Sequence, residues 1–410
     1  MPLPARPRAL LPPPPPWSSR LSTVGVTGTN GKTTTTTFVA AALRRLASPV
    51  ARVTTLGAFL DDAPLDLPPT HEAFIEAMRR ALAAGGRLAA IELTSEALAL
   101  GFARAWPCRI GVFTNLTRDH MDAHGTPEHY LASKAQLFVH LPPGGAAILN
   151  ACDPASALLA EVVPPGVRIL RYGVPSRAAD GSAMPPADLA AERVTVSWEG
   201  TRIALARSSV HPEVPPTIAI RAVGEHYAEN ALAALLAALE AGVPAGLAAL
   251  AIAEAPPPPG RFEVIGDGPR AVVDYGHSPD ALARTLRTAR GLCRGRLTVV
   301  FGAGGDRDRS KRAPMGEAAA VADRVVLTSD NPRSEDPAAI ARQIREGLGA
   351  HADVIEILDR EEAIRVALAD AGPEDVVLIA GRGPETEQIF AGGRRRLVDA
   401  EVAREALGAR

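Results

Sequence analysis

An α/β architecture with two open sheets is the fold class that this 410-residue sequence predicts: a P-loop domain built on a parallel sheet, then a Rossmann-like C-terminal domain. Three observations carry the prediction. A β-rich run enters GTNGKTT (28–34) and then helix-forming sequence, the strand–Gly loop–helix order that a phosphate-binding turn requires. Continuous apolar runs recur between helical stretches, the pattern of strands buried on both faces of a parallel sheet. The linker APPPPG (255–260) separates one such series from a second.

Along the chain, the first nineteen residues, MPLPARPRALLPPPPPWSS, hold two arginines and a short apolar piece broken by prolines. A proline run cannot form the helix of a signal peptide, so residues 1–20 read as a disordered or polyproline-II lead-in. The first strand covers 21–27, and FVAAALRRLA (38–47) reads as the helix after the loop. RLAAIEL (87–93) and RIGVFTNL (109–116) are further buried strands. Alternation and β-branching across 190–222 predict an antiparallel insertion or edge, and ENALAALLAALEAGV (229–243) a helix. After the linker, RAVVDYG, RLTVVFGAGG, RVVLTSD and DVVLIAGRG each precede helical sequence, the makings of a second open sheet. The expected division is 1–20, 21–255 and 256–410.

Composition narrows the function classes. The chain is 47% hydrophobic and 22% charged with a formal net charge of -2, and it has no basic run, so nucleic acid is not an expected partner. Cys108, Cys152 and Cys293 lack metal-ligand spacing; they fit a reducing compartment, each as a small buried side chain. No apolar stretch is long enough to span a bilayer, and a cytoplasmic location is expected.

The loop departs from the ordinary G-x-x-x-x-G-K-[ST] spacing, whose first glycine would fall at Val26. Its chemistry is nonetheless that of a phosphate cradle. Gly28 and Gly31 let backbone N–H groups approach phosphate oxygens at a helix N-terminus, Lys32 supplies a cation, and Thr33 or Thr34 can place a hydroxyl on Mg²⁺. Glu92 and His120 follow neighbouring apolar strands, where open α/β sheets hold ligands, and a pair converging there could bind Mg²⁺. The plainer readings are a solvated strand-end carboxylate and a structural histidine. Lys134, in the helix-like YLASKAQLF, reads plainly as a surface lysine.

Nine motifs occur in order: GTNGKTT, IELTSEAL, TNLTRDHMDAHGTPEHYLASKAQLF, GEHYAENALAAL, GRFE, DYGHSPDAL, FGAGGDRDRSKR, TSDNPRSEDP and AGRGPE. Together they resemble the Mur ligase family over residues 22–405, and within it the UDP-N-acetylmuramoyl-tripeptide synthetases. The resemblance implies an amide-forming reaction in which ATP phosphorylates a carboxylate and an amine attacks the acyl phosphate. It implies that 21–255 is the central ATP-binding domain. Gly28, Thr29, Asn30, Gly31, Lys32, Thr33, Thr34, Asn115 and Asn230 would contact ATP, as would Arg261 and Asp274 from the C-terminal domain; His277 reads as structural. Thr33 and Glu92 would bind one Mg²⁺ and His120 another, with Lys134 carrying a CO₂-derived carbamate. Such a lysine needs a lowered pKa, which neighbouring Mg²⁺ is expected to supply. DNPR (330–333) resembles the motif that selects meso-diaminopimelate: Arg333 would grip the distal carboxylate, with Arg307, Asp330, Asn331, Gly381 and Glu385 completing the amino-acid contacts. Thr70 and Ser95 would serve the acceptor.

The departures from the family cluster near that acceptor. Only about twenty residues precede the first strand, where the family has a UDP-binding domain that a chain so short cannot build. Glu96 stands for a histidine, Phe102 for an arginine, Tyr227 for an asparagine and Pro384 for a histidine, and the threonine-rich run around Thr70 is broken. The expected partners are thus small molecules: an amino acid and an unusual carboxylate or peptide acceptor without UDP, or one presented by a partner protein. The rival readings are a folylpolyglutamate-synthetase-like or MurT-like ligase and a non-catalytic ATP-binding subunit. Arg333 speaks against glutamate as amine, the lack of a cysteine cluster against the MurT branch, and the presence of Lys32, Glu92, His120 and Lys134 against a non-catalytic scaffold.

Overall fold

In the computed structural model the chain is described over residues 11–119, 121–175, 184–351 and 353–408. It separates into two compact units, one of Met1–Thr195 with Glu199–Pro256 and the other of Val196–Trp198 with Pro257–Arg410.

The first unit holds an eleven-stranded sheet. Its strands are β1 (Ser22–Thr27), β2 (Val50–Thr54), β3 (Gly57–Leu60), β4 (Ala63–Pro64), β5 (Leu88–Glu92), β6 (Ile110–Phe113), β7 (Ala146–Asn150), β8 (Arg168–Gly173), β9 (Leu189–Ser197), β10 (Gly200–Leu205) and β11 (Thr217–Ile220). Their spatial order is β11-β10-β9-β8-β7-β6-β1-β5-β2-β3-β4. The central strand β1 runs parallel to β5 and β6, with Val26 opposite Glu92 and Thr27 opposite Phe113. That register gathers the carboxyl ends of three strands at one place, where ligands of open α/β sheets sit. Antiparallel pairs lie toward the margins, β2–β3–β4 on one side and β10–β11 on the other. The 190–222 region is therefore an edge of the same sheet.

Two local expectations are corrected. The helix after the loop covers Lys32–Leu43, so it begins just ahead of the threonine run, includes all of it, and ends before the predicted 38–47 stretch is complete. β-Branched residues are poor helix formers in isolation. Here Thr33, Thr34, Thr35 and Thr36 are buried, and the Thr37 hydroxyl bonds the Thr33 carbonyl at 2.9 Å, so packing overrides propensity. The lead-in is also not unstructured throughout. Pro16–Arg20 forms a 3-10 turn, and Trp17 packs edge-on against Trp106 with ring centroids 5.9 Å apart. Aromatic burial fixes this end; residues 1–10 lie outside the described part.

The second unit carries β12 (Glu263–Ile265), β13 (Arg270–Asp274), β14 (Leu297–Phe301), β15 (Arg324–Leu327), β16 (Val354–Glu356) and β17 (Val376–Ala380) in the order β12-β13-β17-β14-β15-β16. All neighbours are parallel except β12–β13. A hairpin of β18 (Glu387–Phe390) and β19 (Gly393–Arg396) follows. Val273, Val300, Val326, Val377 and Ile379 anchor its apolar core.

Of the three thiols, only Cys108 is fully buried, and burial pushes its pKa up to about 12; Cys152 and Cys293 are partly exposed. Among the described residues, no helix is long and apolar enough to cross a membrane.

Candidate active site

In the first unit the loop between β1 and helix Lys32–Leu43 is shaped by contacts that only glycine permits. Gly28 has φ 150°, and a Cβ there would lie 1.8 Å from the Thr114 hydroxyl. Gly31 has φ 85°, and its Cβ would lie 2.3 Å from Asn230 Oδ1. Thr114 and Asn230 thus press directly on the loop. Asn115 braces it further: Oδ1 accepts from the Asn30 N–H at 2.9 Å, Nδ2 donates to the Asn30 carbonyl at 3.1 Å, and its own carbonyl accepts from the Thr29 N–H at 2.8 Å. The Thr29 hydroxyl meets that of Tyr130 at 3.1 Å and accepts from the Thr117 N–H at 3.0 Å. Lys32 Nζ spans the loop to the Thr29 carbonyl at 2.8 Å. Gly31 brings no capping side chain, and the N-terminus of a helix is a place that favours an anion. Thr34 is buried within that helix. The cradle therefore fits a nucleotide phosphate, with Thr29, Asn30 and Asn115 holding its shape.

Beside the loop, Glu92 Oε2 accepts hydrogen bonds from the Thr33 hydroxyl at 2.9 Å and from the N–H and hydroxyl of Thr55 at 3.1 and 3.3 Å. A hydroxyl and a carboxylate are hard oxygen donors and suit Mg²⁺, which takes one or two protein oxygens along with phosphates and water. Among the described residues there is no group of three or more His, Cys, Asp or Glu poised for a metal, so a self-sufficient protein cage is not present there. His120 lies outside the described residues.

Lys134 is not on the surface. It sits on helix Pro127–Val139 at 1% exposure; its Nζ donates to the Gly28 carbonyl at 2.7 Å and lies 4.2 Å from the Tyr130 ring centroid. Burial, and after it the charge of Lys32, push its pKa well below the ordinary lysine value, with Asp119 opposing. The expected cause of that lowering, a neighbouring Mg²⁺, is not required: desolvation supplies it.

Thr114, Tyr130 and Thr55 are site residues that sequence reasoning missed. Tyr130 precedes Lys134 by four residues, the spacing that stacks side chains on a helix face, and Thr114 directly precedes Asn115. Thr55 follows β2 and carries no motif.

The residues assigned to the acceptor are placed differently. Thr70 is exposed and caps helix His71–Ala83, accepting from the Ala73 N–H at 3.2 Å. Ser95 is buried, with its hydroxyl 2.9 Å from His124 Nε2. These hydrogen bonds do not run to the phosphate loop. Glu96 is exposed, while Phe102 is 9% exposed and packs on Phe74 with centroids 4.9 Å apart.

In the second unit, Asp274 is buried at the end of β13. Its Oδ2 accepts from the Phe262 N–H at 2.9 Å, and its Oδ1 accepts from the Gly276 N–H at 2.8 Å and the Thr285 hydroxyl at 3.0 Å. Its carboxylate thus shapes the turns that carry Arg261 and Tyr275, whose guanidinium and ring stack at 4.3 Å.

Asp330, Asn331, Gly381 and Glu385 come together at the ends of β15 and β17. Asn331 Nδ2 donates to Glu385 Oε2 at 2.6 Å, and the Asn331 N–H to Asp330 Oδ1 at 2.6 Å. Gly381 has φ 114°, and a Cβ there would lie 2.6 Å from Asp330 Oδ2. Burial, and then the Asp330 charge, raise the Glu385 pKa. Arg333 is a non-glycine residue at φ 53°, a left-handed conformation that costs on the order of 1–3 kcal/mol and persists only where its surroundings impose it. Its Nη1 donates to the Gly305 carbonyl at 2.7 Å and the Asn331 carbonyl at 3.3 Å. Arg307 is exposed on the turn that follows Gly305.

A glycine-shaped cradle beside oxygen donors in one unit, and in the other a guanidinium near clustered acids, are the kinds of part that a ligase coupling ATP to an amino acid would need. Family comparisons agree. The Mur ligase middle domain matches residues 26–238, and the Mur ligase glutamate ligase domain matches residues 260–383. The chain is 39% identical over 401 residues to the UDP-N-acetylmuramoyl-L-alanyl-D-glutamate--2,6-diaminopimelate ligase of Thermosynechococcus vestitus, covering 95% of this chain and 77% of that protein. A solved structure of a ligase of the same name has a TM-score of 0.62 at 33% identity, covering 95% and 78% of the two chains. Mycobacterium tuberculosis folylpolyglutamate synthase, at 21% identity, TM-score 0.72 and coverage of 96% and 92%, shares the fold. The chain belongs to the Mur ligase family. It is an ATP-dependent, ADP-forming amide ligase that uses Mg²⁺.

Proposed function

We propose that this enzyme joins a diaminopimelate-type amino acid to the carboxylate of a peptide acceptor. The observation that carries the reading is Arg333, held by the Gly305 and Asn331 carbonyls next to the Asp330–Asn331–Glu385 cluster. A guanidinium selects a distal carboxylate, and acids nearby suit an ammonium.

The γ-phosphoryl of ATP passes to the acceptor carboxylate, giving ADP and an acyl phosphate. The amine attacks the acyl carbon, and the tetrahedral intermediate expels phosphate. Lys32 and the loop N–H groups hold and align the phosphates; Thr33 and Glu92 would hold Mg²⁺, which would neutralise phosphate charge there. In the first unit Asn230 is assigned to the nucleotide; in the second, Arg261 and Asp274 keep the nucleotide role that the family resemblance implies. A buried lysine with a lowered pKa is the right reactant for CO₂, and a carbamate on Lys134 would replace a cation beside the metal with an anion. We assign His120 to the same metal region on its position after β6. Thr70 and Ser95 belong to the acceptor side in this reading, and Arg307 to the amino-acid side.

The relative's name specifies a nucleotide-linked acceptor. Here Glu96 and Phe102 stand where the resemblance implies two basic side chains, so we assign an acceptor of lower negative charge. ATP supply places the reaction in the cytoplasm.

Phosphate release with ATP, Mg²⁺, an amino-acid panel, and acceptor peptides with and without the UDP-N-acetylmuramoyl group tests this. Diaminopimelate is expected to exceed lysine by roughly thirtyfold or more, the size of a desolvated charge left unpaired. Arg333→Ala is expected to collapse that ratio. A wild type preferring lysine or glutamate, or an unchanged ratio in the variant, overturns the amine assignment.

A further inference from the structure

We infer that Gln388 is a positioning residue for amine selection, acting through the hairpin β18–β19 on the segment that carries Asp330, Asn331 and Arg333. The inference rests on the diaminopimelate reading above and concerns what holds that site in shape.

Gln388 is fully buried although polar. A buried amide is destabilising unless its donors and acceptor are paired, and this one has four partners. Its Nε2 donates to the Asp330 carbonyl at 2.6 Å, the Ser329 hydroxyl at 3.0 Å and the Ser329 carbonyl at 3.2 Å; its Oε1 accepts from Arg395 Nε at 3.0 Å. Ser329 is itself fastened by its hydroxyl to the Leu358 carbonyl at 2.6 Å. The next residue continues the clamp. The Ile389 N–H donates to Asn331 Oδ1 at 2.9 Å, and its carbonyl accepts from the Arg333 N–H at 3.0 Å, with Phe390 bridging to Arg333 in parallel. Residues 388–390 therefore bind the main chain or side chain of 329, 330, 331 and 333 in sequence.

This arrangement explains how Arg333 keeps its left-handed backbone. Both its N–H and its guanidinium are tied, the first to β18 and the second to Gly305 and Asn331. Gln388 is the one side chain of β18 that reaches behind the segment, to Ser329 and Asp330. Methionine has nearly the same length but cannot donate. Gln388→Met should leave the apolar packing in place while releasing Asp330 and letting Arg333 shift relative to Glu385. Pockets built on such support lose discrimination when displaced by about an ångström.

The test is steady-state kinetics with diaminopimelate and with lysine for wild type, Gln388→Met, Arg395→Met and Arg333→Ala, with thermal unfolding as a control. The wild-type ratio judges the amine reading alone: no preference for diaminopimelate overturns that reading whatever the variants do. Given that preference, Gln388→Met is expected to raise KM for diaminopimelate about tenfold and to narrow the diaminopimelate-over-lysine ratio correspondingly, with KM for ATP within about twofold. Arg395 is partly exposed, so Arg395→Met is expected to fold and to move the ratio the same way by about threefold. It decides the matter if Gln388→Met does not fold. An unchanged ratio in the folded variants overturns the positioning role, as does a loss that falls equally on both amines and on ATP.

Discussion

Lys134 donates from its amino group to the carbonyl of Gly28 over 2.7 Å, which fastens a fully buried lysine to the phosphate loop from beneath. The Tyr130 ring lies beside the same amino group. A lysine in that setting is poorly solvated as a cation.

Lys134 is therefore expected to react with CO₂, detected as a carbamate carbon signal after ¹³C-bicarbonate exchange and absent in Lys134→Ala. Turnover should fall about a hundredfold or more in that variant, with partial rescue by short carboxylic acids. The pH dependence has a definite sign. The folded-state pKa is lowered, so the unfolded chain binds more protons between that value and the ordinary lysine pKa near ~10.4. The lysine's contribution to stability is present above the unfolded pKa and is lost as pH falls through the folded one. Urea midpoints of wild type and Lys134→Met should diverge toward low pH, with the wild type losing more. Full activity of the alanine variant would reject the role.

Lys32→Ala should abolish ligation while sparing the fold. The side chain is partly exposed and makes a 2.8 Å bond to the Thr29 carbonyl. Loss of that contact should cost no more than about 0.5 kcal/mol of stability, whereas loss of a charge-stabilising group in phosphoryl transfer costs about 10²–10³ in kcat. Calorimetry beside an ADP-release assay separates the two. A variant that melts like the parent and still turns over ATP with both substrates present counts against the phosphate loop.

Much of this site was legible because its chemistry is local in sequence. Glycines before a Lys-Thr pair, and a carboxylate closing an apolar strand, announce themselves by spacing and by the rule that such strands end at ligands. What stayed hidden depends on depth and on partners far along the chain. Lys134 looked like any helix-surface lysine because its helix is not strongly amphipathic, and only the packed sheet reveals that its face is interior. Thr55 follows a marginal strand and meets Glu92 only through pairing across the sheet. The threonine run concealed the start of its helix because intrinsic propensity and tertiary packing disagree there. Phe102 reads as a missing arginine by resemblance, yet physically it is a core residue packed edge-on against Phe74.

Glu385 should impose an acid limb on amine use at a pH above the ordinary glutamate range. Burial and the Asp330 charge raise its pKa, and its Oε2 accepts from Asn331. For stability the sign is that of a raised carboxyl: its favourable contribution is present below the unfolded pKa and fades as pH rises through the folded one. For binding the sign reverses, since the ionised form attracts an ammonium. The acid limb of kcat/KM for diaminopimelate should move to lower pH in Asp330→Asn, because a like charge has been removed. A limb that stays in place shows that another group controls it.

Asp399 offers the sharpest test of what holds the second unit together. It is buried with Arg360, whose Nη2 and Nε reach its two oxygens at 2.7 and 2.9 Å, and Arg382 Nη1 approaches at 3.4 Å. Arg360 also donates to the Ala380 carbonyl at 2.9 Å, and Arg382 to the carbonyls of Glu387 and Leu397 at 2.7 and 3.1 Å. The cluster therefore ties the end of β17, next to Gly381, to the C-terminal helix Asp399–Ala406. Asp399→Asn keeps the shape and removes the one carboxylate that both guanidiniums approach. Breaking a buried pair in this way costs about 3–5 kcal/mol, because the cations remain in a low-dielectric interior. Hydrogen exchange under increasing urea should show amides of β13, β14 and β17 losing protection at lower denaturant, while β1, β5 and β6 keep theirs. Replacing all three together, with Arg360→Met, Arg382→Met and Asp399→Leu, should recover part of the loss, since none of these three charges is then left buried without its mate, although Asp330 and Glu385 lose two nearby guanidiniums. If the single variant unfolds at the wild-type midpoint, the cluster is not a net contributor to the unit's stability, and the apolar strands alone hold β17 in place.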